Sequence, residues 1–379
     1  MVVPEDPRGA AAGGRPEKLL SICFVAPHAW PVLSGDAAIP VVGGAEVQQC
    51  ILARLFARHG YRVTMICLDH GQQDGVVVDG VRVRKIFGLR DGLPVVRFLH
   101  PRLTSMWRAL RQVDADIYYY RSVSMWVGVL ADFCRQHGKR AIYAGASDRD
   151  FVPGEGGQIR YARDRWLYRR GLARVDAIVA QNELQRATCR KTHGRDAVVI
   201  PSCYQVPKKN TSSQEKDLVL WVGTLHRNKR PERLLELARR LPHRRFVMIG
   251  GPGADRAFYE SIRSRAAGIA NLEFKGFLPL AEVEPWFDRA RVFVNTSLYE
   301  GMPNTFLQAW ARAVPTTSTV DVGAPVNCVS SDIEQLSRNI ELLFEDPEAG
   351  KRCKDYFERT HSSARVLGRY AGLFDRVAA

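Results

Sequence analysis

The chain has 379 residues, room for two domains at roughly 150 residues each. Hydrophobic residues make up 46% and charged residues 25%, so each half can bury a core, and no apolar run approaches the roughly 18 residues that a membrane-spanning helix needs. The net charge of +15 favours an anionic partner and leaves three classes open: a nucleotide, an anionic lipid surface or a nucleic acid.

The first eighteen residues are Pro, Gly, Ala and charge, without the apolar stretch of a secretory signal, and are expected to be disordered. Leu19 to Pro27 (LLSICFVAP) then reads as a buried strand. Ala45 to His59 follows, with Val47, Ile51, Leu52, Leu55 and Phe56 at helical spacing, and Gly60 stops it. Tyr61 to Leu68 is the next strand. Further strands are expected at Val81–Phe87, Asp116–Tyr120, Arg140–Tyr143, Asp176–Gln181 and Ala197–Ile200. Strands alternating with helices argue for α/β parallel sheets.

Val206 to Lys216 (VPKKNTSSQEK) breaks the pattern and reads as a linker. The cycle restarts with the strand Asp217–Gly223. Helix Pro231–Arg240, strand Arg245–Gly250, helix Ala254–Ala267, strand Asn271–Lys275, helix Ala281–Ala290 and strand Arg291–Thr296 follow. A helix from about Pro303, a strand near Pro315–Thr319 and two or three tail helices complete the chain, the last from about Ala364 to Val377. This divides the chain into a tail (1–18), a first domain (19–205), the linker (206–216), a second domain (217–363) and a terminal helix (364–379). The eight cysteines, at 23, 50, 67, 134, 189, 203, 328 and 353, show no CxxC spacing and lie mostly in apolar stretches. They read as reduced core thiols of a cytosolic protein, not as a disulfide framework or a zinc site.

In open parallel sheets, ligands bind beyond the carboxyl ends of the strands. Three loops stand there. Gly43-Gly44 opens the first long helix, where paired glycines either let backbone N–H groups approach an anion or simply make a turn. Gly223 to Pro231 (GTLHRNKRP) carries His226, Arg227, Lys229 and Arg230 before a helix with proline in its first turn; it is a phosphate-facing loop or a solvated basic one. Asn295 to Trp310 (NTSLYEGMPNTFLQAW) places Glu300 before a helix whose first N–H groups, at Asn304 and Thr305, would point at a diphosphate, with Gln308 further along. The plainer alternative is that Glu300 and Asn304 only cap the helix.

This third segment, YEGMPNTFLQAW, resembles the signature of glycosyltransferase family 4, two glutamates separated by seven residues in retaining enzymes of the GT-B fold. The similarity extends over GGAEVQ, AIVAQNELQ, WVGTLHRNKRPE and VFVNTSLYEGMPNTFLQAWARAVP, most of the chain. It implies two Rossmann-like domains facing a central cleft, an N-terminal acceptor domain and a C-terminal donor domain, with the last helix crossing back. By the same resemblance, Glu300 would contact the transferred sugar and stabilise charge at its anomeric carbon. Gly301, Met302 and Pro303 would pass beside that sugar, and the N–H groups of Asn304 and Thr305 would hold the diphosphate. Gln308 would bond the ribose and Lys229 would neutralise the diphosphate. Gly43 and Gly44 would close over the phosphates. Gly223 belongs to the donor loop, and Gly276 and Phe277 would meet the base.

Two positions depart from the family pattern. Thr224 stands where an arginine usually follows the glycine, leaving Arg227 or Arg230 to compensate. Gln308 replaces the second glutamate. Where many relatives place a histidine, the sequence reads GASDRD, so Asp148 or Asp150 faces the acceptor or caps a turn. Asp114-Ala115-Asp116 has metal-motif spacing but directly precedes a strand and reads as structural. No metal or other cofactor is therefore expected; the nucleotide sugar is a substrate.

The implied reaction moves a hexose-type sugar from a nucleoside-diphosphate sugar to a glycan or lipid-linked acceptor, in cell-surface polysaccharide or glycoconjugate synthesis. The basic residues are dispersed and no nucleic-acid motif is present, so no nucleic-acid partner is expected. A catalytically silent scaffold is the rival that Thr224 and Gln308 motivate. The segment Arg160 to Arg174 interleaves arginines with Tyr161, Trp166, Leu167, Tyr168 and Leu172. It reads either as a helix docking the cytoplasmic enzyme on an anionic membrane surface or as an ordinary amphipathic helix with Trp166 and Leu167 in the core.

Overall fold

Runs of branched and aromatic residues build two sheets in the computed structural model, which describes residues 20–36, 43–93, 96–152, 159, 161–206 and 216–378. The expected disordered tail (1–18), and residues 207–215 of the expected linker (206–216), lie outside the described residues. The first half runs β1 (Ser21–Val25), α1 (Trp30–Ser34), α2 (Gly44–Arg58), β2 (Arg62–Asp69), β3 (Val77–Val78) and β4 (Val81–Gly88). It continues through α3 (Thr104–Val113), β5 (Ile117–Arg121), α4 (Trp126–His137), β6 (Arg140–Ala144), α5 (Ala162–Arg174), β7 (Ala177–Ala180), α6 (Glu183–His193) and β8 (Val198–Val199). The second half runs β9 (Leu218–Val222), α7 (Pro231–Arg240), β10 (Arg245–Ile249), α8 (Arg256–Ala267), β11 (Leu272–Gly276), α9 (Leu280–Arg289) and β12 (Ala290–Asn295). Then come α10 (Asn304–Trp310), β13 (Thr316–Ser318), β14 (Asn327–Val329), α11 (Ile333–Glu345), α12 (Ala349–Thr360) and α13 (Ser363–Ala378).

The first sheet has the order β3-β4-β2-β1-β5-β6-β7-β8 and the second β11-β10-β9-β12-β13-β14. All pairings are parallel except the β3–β4 edge. Helices cover both faces of such sheets, so IYYYR in β5, AIVA in β7 and LVLWV in β9 are almost wholly buried. Strand order reverses about β1 in the first sheet and about β9 in the second. The crevice lies at such reversals, beyond the carboxyl ends of the strands. The Asp114–Asp116 pair is structural, as its place before a strand indicated: Asp116 Oδ2 accepts from Ser21 N–H (2.9 Å) and Asp114 pairs with Lys139 (2.7 Å).

The terminal helix does cross back. Val366, Tyr370, Leu373 and Phe374 of α13 join the core of the first half, with Tyr370 and Phe374 packed on Phe56 at 5.8 and 5.2 Å. Tyr119 and Tyr370 share a hydrogen bond of 3.1 Å. The elements β3, β14 and α1 had no sequence signal of their own; each spans two to five residues, too few to show a period. The cysteines are all free, and each is buried except the half-buried Cys328.

His361 lies just before the crossover and is 1% exposed, beside the rings of Trp310, Tyr356 and Phe357. Its Nδ1–H donates to the Ser202 carbonyl (2.8 Å), while Nε2 finds no partner among the described residues. Burial pushes its pKa down from 6.5 to about 4. Between those values the unfolded chain binds the extra proton, so this contribution is complete above about pH 6.5 and is lost as pH falls through that window. A shift of that size corresponds to about 3 kcal/mol. Urea unfolding at pH 7 and pH 4.5 should show His361→Gln losing about 2 kcal/mol less than the wild type over the interval. Burial raises the Asp150 carboxyl to about 6, with the opposite sign, but that term is common to both proteins and cancels. Equal acid losses in both proteins would remove His361 from the account.

Candidate active site between the two halves

A cleft of about 890 Å³ lies between the two halves and is lined from both. Two loops of the second half form one wall. After β9 the chain turns at Gly223, whose N–H donates to the Ile249 carbonyl (3.0 Å). Gly250 sits so close that a Cβ there would fall 1.9 Å from the Gly223 carbonyl oxygen, so only glycine fits. The chain then passes Arg227–Lys229 as a single 3-10 turn and reaches Arg230, at φ +43°, before Pro231 opens α7.

The loop after β12 is bonded to that one. Leu298 N–H donates to the Asn228 carbonyl (2.8 Å) and Thr296 Oγ1 to the Lys229 carbonyl (2.6 Å). Trp221 Nε1 donates to Thr296 Oγ1 (3.0 Å). This bracing brings Lys229 Nζ onto Glu300 Oε1. The same oxygen accepts from Ser297 Oγ (2.6 Å) and Asn295 Nδ2 (3.4 Å). Among the described residues nothing donates to Glu300 Oε2. The Glu300 side chain is 13% exposed and Lys229 29%, so both reach the cleft from a partly dry wall.

The first half supplies the other wall and touches the signature loop directly. Met302 N–H donates to Gln181 Oε1 (2.9 Å), and a Cβ on Gly301 would lie 2.8 Å from the Ala146 carbonyl oxygen. Asn304 Nδ2 donates to the Gly44 carbonyl (3.1 Å), while its Oδ1 accepts from Gln48 Nε2 (2.8 Å). Pro303 occupies the N-cap of α10 without a side-chain cap, leaving the first-turn N–H groups of Asn304 and Thr305 unsatisfied from that side. Phe277 rests on Gly251, whose Cβ would come within 3.0 Å of the ring's own Cβ.

Most residues expected from the sequence meet here. Gly43, Gly44, Gly223, Thr224, Lys229 and Phe277 line the cleft, as do Gly301, Met302, Pro303, Asn304, Thr305 and Gln308 with Glu300. Four do not. Arg227 turns outward to Asp255 (3.0 Å) and lies over the Phe258 ring. Arg230 spends its guanidinium on the Thr296 and Ser297 carbonyls (2.9 and 3.1 Å). Neither arginine lines the cleft, so neither stands in for the one missing at Thr224. Gly276 ends β11 and its carbonyl accepts from Gly250 N–H (2.8 Å); the cleft lining resumes beyond it at Phe277 and Leu278. Asp148 is held by Gln185 Nε2 (2.8 Å) and Asn182 Nδ2 (3.4 Å), while burial and the charge of Glu300 raise its pKa. Asp150 does line the cleft, but its Oδ2 accepts from Ala146 N–H (2.7 Å), the turn-cap role.

The sequence reading passed over Gln181, Gln48 and Glu284. Gln181 and Gln48 lie inside AIVAQNELQ and GGAEVQ, the polar residue at a strand end and the polar residue in an apolar helix. Burial of a polar side chain is the signal, and it needs the fold to be seen.

Arg227→Ala should leave nucleotide affinity within about 2-fold, because the side chain points away. Arg230→Ala should destabilise the protein by about 2 kcal/mol, the usual worth of charge-assisted bonds to backbone, and loosen the Glu300 loop. Unfolding and titration calorimetry separate these outcomes. A large affinity loss with unchanged stability for either variant would contradict the placement.

Two family models cover the two halves: "Glycosyl transferase 4-like domain" matches residues 43–203 and "Glycosyl transferases group 1" matches residues 216–349. No curated protein matches the chain by sequence. Among solved structures, sucrose-phosphate synthase from Thermosynechococcus elongatus is 16% identical, with 94% of this chain and 99% of that one aligned at a TM-score of 0.73. The catalytic domain of starch synthase IV from Arabidopsis thaliana, bound to ADP and acarbose, is 13% identical over 95% and 99% of the two chains, with a TM-score of 0.68. A lipopolysaccharide outer core galactosyltransferase is 14% identical over 94% and 100%, at 0.62. At such identities these likenesses concern the fold, and the two matched models give the family: the chain belongs to the group 1, family 4 glycosyltransferases and has the GT-B fold.

Proposed function

We propose that the protein is a retaining transferase that moves a hexose-type sugar from a nucleoside-diphosphate sugar to a glycan or lipid-linked acceptor, in the synthesis of a cell-surface polysaccharide or glycoconjugate. The observation that carries this reading is the Lys229–Glu300 contact at the mouth of α10. A cation and the first-turn N–H groups of a helix face the same space as a carboxylate oxygen that has no donor among the described residues. That set suits a substrate with an anionic leaving group on one side and a carbon gaining positive charge on the other. The fold relative solved with ADP and acarbose fits such a donor.

Lys229 draws off charge as the diphosphate leaves, aided by the Asn304 and Thr305 N–H groups. The bond from the anomeric carbon to the diphosphate oxygen breaks while the acceptor oxygen bonds that carbon on the same face. The acceptor's proton passes to the departing diphosphate oxygen. Glu300 Oε2 offsets the positive charge on the sugar. This chemistry needs no metal, and turnover should survive EDTA. Glu300→Ala should cut turnover by at least about 100-fold with little change in stability. Lys229→Ala should weaken binding of the free nucleoside diphosphate as well. Transfer or donor hydrolysis by purified protein is the measurement, with UDP-, GDP- and ADP-sugars screened first. Nucleotide binding without any turnover would leave a binding scaffold instead.

A peripheral membrane site rests on α5. Trp166 is 59% exposed and Tyr161 58%, whereas Tyr168 and Leu172 face the core, so of the two readings of this helix the one with Trp166 in the core does not hold. Arg163, Arg165 and Arg169 are exposed beside Trp166. Arg170 and Arg174 both pair with Asp132 (3.0 and 2.6 Å), and Arg160 lies outside the described residues. No helix among the described residues is long and apolar enough to cross a membrane. Binding to anionic liposomes should fall with salt and drop at least about 5-fold for Trp166→Ala/Arg169→Glu, since each basic residue contributes about 1 kcal/mol near the surface. Equal recovery on neutral and anionic vesicles would sink this location.

A further inference from the structure

Gln308 does not stand alone at the base of the cleft. It is 4% exposed on α10, and its Nε2 donates to Oε1 of Glu284 on α9 (2.9 Å), itself 8% exposed. Glu284 is fixed in turn. Its Oε2 accepts from Tyr204 Oη (2.6 Å) and from Arg312 Nη2 (2.6 Å). Arg312 is anchored on its other side by Asp288 (2.9 Å), and its side chain is 6% exposed. Both Gln308 and Glu284 line the cleft.

A glutamine amide has a donor end and an acceptor end of nearly the same shape, so rotation by half a turn exchanges them. As a carboxylate, Glu284 can only accept. Turning the Gln308 carbonyl toward it would set two acceptors against each other in a buried site and leave both unsatisfied. The Nε2 end is therefore held on Glu284. Gln308 Oε1 has no donor among the described residues and is left for the cleft. A glutamate at 308 would instead put a second carboxylate at hydrogen-bond distance from the first, a pairing of like charges that ionises only at a cost.

We propose that Glu284 is a positioning residue that fixes the Gln308 amide with its carbonyl oxygen toward the cleft, so that this oxygen accepts a hydrogen bond from a ribose hydroxyl of the donor nucleotide. The proposal rests on the nucleotide-sugar reading above. It deepens that reading by assigning to α9 the carboxylate that α10 lacks. Gln308 and Glu284 then act as one unit, and exchanging them preserves it.

The test is titration calorimetry with the nucleoside diphosphate that binds best among UDP, GDP and ADP, with its 2′,3′-dideoxy form, and with inorganic pyrophosphate. Glu284→Gln lets the 308 amide turn over and should weaken the ribonucleotide about 10-fold, the scale of one hydrogen bond in a buried site, with the dideoxy form and pyrophosphate unchanged. Glu284→Asp keeps a charge for Arg312 but withdraws the reach to Gln308, so it should lose the same ribose discrimination even if Glu284→Gln folds poorly. Gln308→Glu alone should weaken the ribonucleotide by at least about 10-fold. The exchange Glu284→Gln/Gln308→Glu should return it to within about 3-fold of the wild type, because the amide–carboxylate bond reforms in the opposite sense. Equal losses for ribo- and dideoxynucleotide in both Glu284 variants, or an exchange no better than Gln308→Glu, would overturn the proposal. A wild type that binds ribo- and dideoxynucleotide equally would overturn it while leaving the donor site standing. A wild type that binds no nucleoside diphosphate would overturn the donor reading itself.

Discussion

Three donors converge on one carboxylate oxygen: Lys229 Nζ, Ser297 Oγ and Asn295 Nδ2 on Glu300 Oε1. A carboxylate this far out of water needs such partners, and each comes from a backbone position that something else must hold. Lys229 is placed by a 3-10 turn whose carbonyls accept from the facing loop. Ser297 and Asn295 are placed by the Ser297 N–H bond to Asn295 Oδ1 (2.9 Å). Arg230 then secures the facing loop from behind, in a left-handed conformation that turns its side chain toward the Thr296 and Ser297 carbonyls. The result is that Oε1 is fully used and Oε2 is not. The asymmetry of this one side chain gives the cleft its chemical direction.

That direction would be wasted without the other half. The signature loop is attached to β12 but lies on the first sheet's loops, through Met302 to Gln181 and Asn304 to Gly44 and Gln48. Two unlike contacts therefore join the halves. At the crossover, α13 buries Val366, Tyr370, Leu373 and Phe374 in the first half's core, an attraction proportional to apolar area and without a preferred direction. At the cleft, the contacts are a few hydrogen bonds, each worth about 1 kcal/mol net because water can replace them. The extensive apolar contact stands away from the cleft, and the few hydrogen bonds stand around it.

The architecture was legible in the sequence because parallel sheets leave long records. Uninterrupted runs such as LVLWV and IYYYR and helices with apolar spacing carry the fold. Glu300, Lys229 and the α10 segment were legible because a contiguous motif holds them. What was not legible involves long-range pairing. Which way Arg227 and Arg230 turn depends on Asp255 and on the Thr296 carbonyl, 28 and 66 positions away. Whether Trp166 or Tyr168 faces the core depends on the rotation of α5 against its neighbours, because both are aromatic residues in a helix rich in arginine. Gln181 and Gln48 lie in segments that resemble the family and Glu284 does not, but none of the three carries a local sign of its own role. They stand out only once burial reveals a polar side chain with its partners.

The two departures from the family pattern now separate physically. At Gln308 the missing carboxylate has a counterpart within hydrogen-bond distance, Glu284, with its own buried arginine. At Thr224 neither Arg227 nor Arg230 is the counterpart of the missing arginine, since both are engaged elsewhere. On the nucleotide-sugar reading proposed above, Lys229 and the first-turn N–H groups of α10 stand at the phosphate end of the cleft. A backbone N–H is a partial charge fixed in place, whereas a guanidinium is a full charge that must be ordered. On the same reading, the buried group of Gln308, Glu284 and Arg312 makes the nucleoside end the more tightly organised part of the cleft.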